Sequence, residues 1–369
     1  MTSVFVGDCL CLGGVGAQKL TIPVWINKHH LRVTRPAGHL SRAAGHDNRQ
    51  PEQATVQAEP LITWSHAATE LAGFIGLFLG AGAVGFRYAA VRGRLAAAGD
   101  DADVWRGAAR AAAVLGLFGW LVRAVLVARS LPGAAARQHT TVGALIGGNL
   151  QTQLQLALLV LALAGFALAA ARVGFGWHLA AIGVILGQLR GVFFGQWSRL
   201  VNPVHALAAG LWIGTLFVLV VAGIGTVLRR ERGRGRRGVL VAEMVNGFSP
   251  LALVCGIVVV VFGVITAWRH LPTVSALWTT PYGYALTAKL VFVAVVFALG
   301  AWNWRRQRPT LGSDDAADSI RRSAVAELAA AGIVLVITAL VVSLPSPRRA
   351  GAGPAGPPPT AQPASNAAH

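Results

Sequence analysis

Eight long apolar runs constrain the fold of this chain more than any other feature of its sequence. A helix needs about 20 mainly apolar residues to cross the hydrocarbon layer of a membrane. Only 12% of the 369 residues are charged, a smaller fraction than soluble domains carry. The sequence therefore predicts an all-α, polytopic bundle of eight transmembrane helices, at roughly residues 67–90, 111–129, 151–172, 176–195, 203–228, 247–269, 284–304 and 323–344.

Arginines in the connections between these runs predict the orientation of the bundle. The first, third, fifth and seventh connections hold most of them, including Arg92, Arg94, Arg106, Arg110, Arg172 and the run RRERGRGRR at 229–237. The even connections hold only Arg129, Arg137, Arg199 and Arg269. Because Lys and Arg accumulate in cytoplasmic loops, we expect the odd connections in the cytoplasm and both termini outside. The same rule explains the formal net charge of +18 without a nucleic-acid partner.

Four segments follow one another along the chain. Residues 1–60 lack helical periodicity and the basic start of a signal peptide, so they are predicted to be a disordered tail or to precede the true start codon. Residues 61–200 hold the first four transmembrane helices, and residues 201–344 hold the other four. Residues 345–369 are rich in Pro, Ala and Gly, which predicts a second disordered tail.

Histidines gather at the predicted outer ends of the apolar runs. His66, His139, His205 and His270 lie there, and Glu70 follows His66 by one helical turn. A carboxylate at that spacing can accept the imidazole N–H and make the other ring nitrogen a better metal ligand. Neutral imidazole suits copper and zinc. The spacing of these histidines matches no short metal motif, however, so a role at the lipid headgroups is the alternative.

Lys289 is the only lysine beyond residue 28, and it lies inside the seventh apolar run. An ionisable group in a membrane span is a functional candidate by default, although a lysine near the end of a span can also extend its side chain to the interface. Glu327 lies near the cytoplasmic end of the eighth run, where we expect Arg305 or Arg322 to pair with it.

Arg123 and Arg190 lie inside the second and fourth runs. With Lys289 they make the outer half of the bundle positive, which opposes a bare metal ion. Such a charge favours an anion, or the propionates of a haem that two histidines ligate. A haem-binding electron-transfer bundle is therefore one alternative function.

Four motifs in the second half of the chain occur in a characteristic order and spacing. They are NPVHALAAGLWIGTL (202–216), GFSPLALVCGIVVVVFGVITAW (247–268), TPYGYALTAKL (280–290) and RRSAVAELAAAGIVL (321–335). With them, residues 202–344 resemble the copper resistance protein D (CopD) family. The resemblance implies a multi-pass protein of the inner (cytoplasmic) membrane that moves copper across it from a periplasmic copper-binding carrier. Lipid and that carrier are the implied partners.

The resemblance also suggests which residues form the site. The matching family positions are His205, Trp212, Phe248, Ser249, Thr280, Tyr282, Gly283, Lys289 and Glu327. We predict His205 as the first copper ligand, with His66 and His270 as partners. Glu70 and the other matching positions would orient the site, shield it or gate entry. Where family members carry a Gly-His step before the fifth span, this chain has Gly187-Gln188, which implies that a ligand or counter-ion of the first half is missing.

No motif for an enzymatic reaction is visible. The chain has neither a Walker A motif nor a phosphorylatable Asp motif, so copper transport would be passive, coupled to an ion or driven by a partner. A third reading is a protein that does not transport copper but delivers it to an oxidase during assembly.

Overall fold

The computed structural model describes residues 64–95, 101–230, 236–271, 273–307 and 314–344. These residues are almost entirely helical, and none of them forms a β-strand. Eight of the helices are long and apolar enough to cross a membrane, which confirms the predicted all-α bundle. They are α1 (Trp64–Ala90), α2 (Ala102–Arg137), α3 (Leu150–Ala170), α4 (Gly176–Phe194), α5 (Trp197–Arg229), α6 (Arg237–His270), α7 (Pro281–Gln307) and α8 (Asp314–Ser343). The predicted disordered tails, 1–60 and 345–369, lie outside the described residues.

Two helices exceed the predicted apolar runs by more than ten residues. Helix α2 has 36 residues and α6 has 34, which corresponds to about 54 Å and 51 Å at 1.5 Å per residue. A hydrocarbon layer is only about 30 Å thick, so both helices extend well beyond it. Charged residues before position 111 made the predicted run begin there. In the structure these residues lie on the projecting first turns of α2, where Arg106 pairs with Asp103 at 2.8 Å.

Helix α1 lies at the centre of the bundle and packs against helices of both halves, including α2, α5 and α8. Its crossing with α5 brings the two backbones into contact. A Cβ atom on Gly214 of α5 would collide with the Phe78 carbonyl oxygen of α1, and one on Gly82 would collide with the Gly214 backbone. The Thr215 hydroxyl donates to the Gly82 carbonyl at 3.4 Å. Small residues that let two backbones touch are a recurrent device of membrane helices.

Helix α5 is interrupted by two wide turns of π-helix, at Gly210–Gly214 and Leu219–Ile224. Such turns change the register between the residues before and after them, and they are frequent at functional sites. The first π turn begins five residues after His205 and includes Gly214, the residue that touches α1. The close crossing and the altered register of α5 thus occur together.

Candidate metal site

His205 lies on α5 with its ring against the backbone of α6. A Cβ atom on Gly263 would lie 3.2 Å from the imidazole Cε1 and 3.6 Å from Nδ1. The ring also approaches the Val259 carbonyl, yet Nδ1 is buried and forms no hydrogen bond. A buried polar atom without a partner costs about 1–3 kcal/mol. The structure therefore places a buried imidazole nitrogen between α5 and α6 that has no hydrogen-bond partner of good geometry among the described residues.

Polar residues from both neighbouring helices surround this position. The Thr266 hydroxyl of α6 lies 3.0 Å from Oδ1 of Asn202 on α5, about one helical turn before His205. On α7, the half-buried Lys289 side chain lies close enough to act electrostatically on the His205 imidazole. The sequence predicts Lys289 as a site residue but not its proximity to His205, and it assigns no role to Asn202 or Thr266. The sign in the sequence that could have identified Asn202 and Thr266 is that they are polar residues inside apolar runs.

His270 occupies the last position of α6 and is held in one orientation. Its Nδ1–H donates to the Thr266 carbonyl at 2.8 Å. The ring stacks on Tyr282 of α7, with centroids 6.2 Å apart and planes 16° from parallel. Because a carbonyl only accepts, the proton lies on Nδ1 and the neutral ring carries its lone pair on Nε2. In a metal-binding histidine, one ring nitrogen usually donates its N–H to such an acceptor, and the other nitrogen binds the metal through its lone pair.

The third predicted ligand, His66, lies on the exposed first turn of α1. Glu70, one turn further, is buried and interacts electrostatically with Arg123 of α2. Among the described residues, no three His, Cys, Asp or Glu side chains are close enough to hold a metal ion together. The structure therefore does not gather His205, His66 and His270 into one cluster, and copper coordination by each of them stays a prediction.

The TPYG motif has a structural role at the start of α7. The Thr280 hydroxyl accepts a hydrogen bond from the Gly283 N–H at 3.0 Å, which caps the helix, and Pro281 occupies the first helical position, where it is favoured. Gly283 lets this turn touch the short helix Ala276–Thr279, since a Cβ there would lie 2.7 Å from the Leu277 Cα. Tyr282 is buried. The motif thus fixes where α7 begins, and with it the positions of Tyr282 and Lys289.

Two of the predicted site residues lie far from His270. Phe248 and Ser249 precede it on α6 by about 22 residues, which is about 33 Å along the helix. Phe248 is buried in the main core, and the Ser249 hydroxyl donates to the Val245 carbonyl of its own helix at 2.8 Å. Neither residue is placed where it can touch a metal ion held near His205 or His270.

Trp212 and Glu327 join helices deeper in the bundle. The Trp212 ring packs on Phe297 of α7 with centroids 4.7 Å apart. Glu327 of α8 accepts a hydrogen bond from the Asn303 side-chain amide of α7. The expected pairing of Glu327 with Arg305 or Arg322 is not the one that the structure forms.

Comparisons with known proteins agree with the sequence motifs. The family model of copper resistance protein D matches residues 242–341. The chain is also 30% identical, over 151 residues, to the copper transport protein CutJ of Bacillus subtilis (strain 168). That match covers 40% of this chain and 25% of the relative. No solved structure matches the chain.

The family match covers α7, all but the first turns of α6, and the spanning part of α8, with Phe248, Ser249, the TPYG turn, Lys289 and Glu327. His205 and Trp212 lie before its first residue. Residues 242–341 are therefore similar to the copper resistance protein D family, and the chain spans about a quarter of the length of CutJ.

Proposed function

We propose that this chain is a copper-handling protein of the inner (cytoplasmic) membrane, which accepts copper from a periplasmic carrier at the bundle end that bears His270 and passes it inward. The observation that carries the proposal is the buried, unpartnered Nδ1 of His205 between α5 and α6. The copper names of the matching family and of CutJ support copper as the ion.

The two histidines nearest this path lie at different depths. His270 ends α6, whereas His205 packs against Gly263, seven residues earlier on the same helix. Seven residues correspond to about 10 Å along a helix. An ion would therefore meet His270 first and His205 next. Conduction needs sites that bind strongly enough to admit an ion and weakly enough to release it. One histidine at each step suits transit better than a closed cage of three or four ligands.

Lys289 and Tyr282 would control entry to this path. A protonated lysine has no lone pair for a metal, so Lys289 acts on the ion through charge alone. Its position within electrostatic range of His205 raises the energy of a cation there and limits how long copper stays. Tyr282 holds the His270 ring by stacking. Trp212 shields the apolar side of the path, and His66 with Glu70 would add a ligand from α1.

Copper uptake into vesicles that contain only this protein tests the proposal. We expect His205→Ala to lower uptake by about tenfold or more, because the loss of even an outer-shell partner weakens metal sites by that factor. The matched control is His139→Asn, which alters an exposed loop histidine with a positive φ of 51° that asparagine tolerates. Uptake by His205→Ala at the wild-type rate would contradict the role of His205.

The same preparation separates the alternatives. Bound copper without uptake into wild-type vesicles would favour a protein that delivers copper to an oxidase. A Soret band in the visible spectrum of the purified protein would favour the haem-binding bundle. The metal content of the purified wild type and of His205→Ala measures the role of His205 as a ligand independently of transport.

A further inference from the structure

A groove of about 490 Å³ lies between α2 and α5, at the end of the bundle that bears the odd connections. Four arginines line it: Arg106 and Arg110 of α2, Arg229 at the end of α5, and Arg172, which follows α3. All four side chains are exposed. One carboxylate, Asp103, also lines the groove. Three different parts of the chain thus bring positive charge to one place.

Most of this charge is available to a ligand. Arg106 pairs with Asp103 at 2.8 Å. Among the residues that the structure describes, none forms an ion pair or hydrogen bond with the guanidinium of Arg110, Arg172 or Arg229. A guanidinium can donate two parallel hydrogen bonds to a phosphate, which makes arginine the side chain best suited to recognise one. This end of the groove therefore suits a phosphate group.

The rest of the groove is apolar on both helices. On α2, Val114 follows Arg110 by one helical turn and is 50% exposed. On α5, Val221 precedes Arg229 by about 12 Å along the helix and is 42% exposed. Both helices are long and apolar enough to span a membrane, so an exposed valine at this depth meets acyl chains. The groove thus changes from cationic to apolar over a short distance, as a phospholipid changes from headgroup to acyl chain.

Arg172 is held in a backbone conformation that arginine rarely adopts. Its φ is +70°. Its N–H donates to the Ala169 carbonyl at 3.0 Å, and the N–H of Val173 donates to the Leu168 carbonyl at 2.9 Å. These two bonds form the usual glycine-type end of a helix, and glycine would take the position without strain. Strained backbone positions cluster at ligand sites. The conformation of Arg172 is therefore an observation separate from the charge of the groove.

We propose that this groove binds one anionic phospholipid, with its phosphate among the arginines and its acyl chains along Val114 and Val221. A free phosphate would leave the apolar wall unused. An acidic peptide would carry backbone polar groups into hydrocarbon, where nothing satisfies them. A zwitterionic lipid fits the apolar wall equally well, but its headgroup brings a cation close to the arginines.

The lipid site is separate from the candidate metal site. Arg229 follows His205 on α5 by about 24 residues, which is about 36 Å along the helix. The two sites therefore lie near opposite ends of α5. The lipid site does not depend on copper being the ion that passes His205, and it can be tested without any metal.

Native mass spectrometry of the purified full-length chain in detergent tests the site. The probes are dioleoylphosphatidylglycerol and dioleoylphosphatidylcholine, which differ only in the headgroup. We expect the wild type to bind the first phosphatidylglycerol at least about tenfold more tightly. Arg110→Gln should weaken this binding by about fivefold, which is the contribution of one arginine near an anionic headgroup. The matched control, Arg92→Gln, removes an exposed arginine at the same end of the bundle that does not line the groove, and it should bind like the wild type.

Arg172→Gly separates lipid binding from folding. It removes the guanidinium and at the same time relieves the strained backbone. We expect its melting temperature in detergent to equal or exceed that of the wild type, while its binding of phosphatidylglycerol weakens by about fivefold. A variant that lost binding because it was poorly folded would melt at a lower temperature.

Three outcomes would overturn the proposal. The first is equal affinity of the wild type for the two lipids. The second is an equal loss in Arg92→Gln and Arg110→Gln, which would show that the lipid responds to overall charge and not to the groove. The third is displacement of phosphatidylglycerol by an equal concentration of inorganic phosphate, which would show that acyl chains are not part of the recognition. If Arg110→Gln does not fold, Arg172→Gly decides the question.

Discussion

The crossing of α1 and α5 allows a sharp test of how this bundle is held together. Gly214 belongs to the first π turn of α5 and touches the backbone of α1. Gly214→Ala adds one methyl group at this contact. That methyl would lie 2.9 Å from the Phe78 carbonyl carbon, closer still to its oxygen, and 3.2 Å from the Gly82 Cα. All three are backbone atoms, so no side chain can rotate out of the way and the two helices must move apart.

The magnitude follows from two opposing effects. Alanine favours a helix over glycine by about 1 kcal/mol. Overpacking a tight contact costs about 1–3 kcal/mol, and a contact with rigid backbone belongs at the upper end of that range. We therefore expect Gly214→Ala to lower the free energy of unfolding by about 2 kcal/mol. Gly332→Ala in α8 is the matched control because a Cβ there meets nothing within 4 Å. It should be neutral or more stable by up to about 1 kcal/mol.

Titration with sodium dodecyl sulfate in mixed micelles, followed by tryptophan fluorescence, measures both variants under the same conditions. The detergent concentration at the unfolding midpoint should fall below the wild-type value for Gly214→Ala. For Gly332→Ala it should equal or exceed the wild-type value. Equal midpoints for the two variants would refute the reasoning, since they would mean that α1 and α5 do not meet at Gly214 as the structure has them.

Two further predictions use the same titration. Asn303→Ala leaves the partly buried Glu327 without its hydrogen-bond donor and should lower the free energy of unfolding by about 1–3 kcal/mol. Glu327→Gln should lower it by less, because this change removes the charge that has to be buried. A larger loss for Glu327→Gln than for Asn303→Ala would contradict this prediction. The ion pair of Arg94 with Glu243, 3.2 Å long and partly exposed, should contribute at most about 1 kcal/mol, so a greater loss in Arg94→Gln would show that it is better shielded from solvent than its exposure indicates.

The number and order of the spanning helices were predictable because the hydrocarbon thickness imposes the length of every apolar run. Helix ends outside the membrane are not subject to that constraint. The predicted second run therefore began at residue 111, while α2 begins at Ala102. The start of α7 was predictable in principle, since a threonine followed by proline is a helix-start signal. A role of Thr280 in orienting the site or gating entry stays a prediction, because its observed hydrogen bond to the Gly283 N–H caps the helix.

Partners across helices were harder to predict, because they depend on how each helix is rotated about its axis. Glu327 illustrates this. The sequence predicts that it pairs with Arg305 or Arg322, but the structure pairs it with Asn303. Arg305 lies two residues further, and residues two apart do not share a face of a helix. The partner of Lys289 was missed for a similar reason: His205 lies on α5, whose π turns alter the register in a way that no periodicity in the sequence reveals.

The proposed function raises one physical problem, which is how a bundle so rich in cations accepts another cation. Lys289 acts electrostatically on His205, and Arg123 and Arg190 lie on the other side of α5 with Arg199. In a medium of low dielectric constant these charges act over longer distances than in water. Each of them raises the energy of a copper ion beside His205. Such destabilisation would shorten the stay of a copper ion at His205, which suits a site that an ion passes through and does not suit one that stores it.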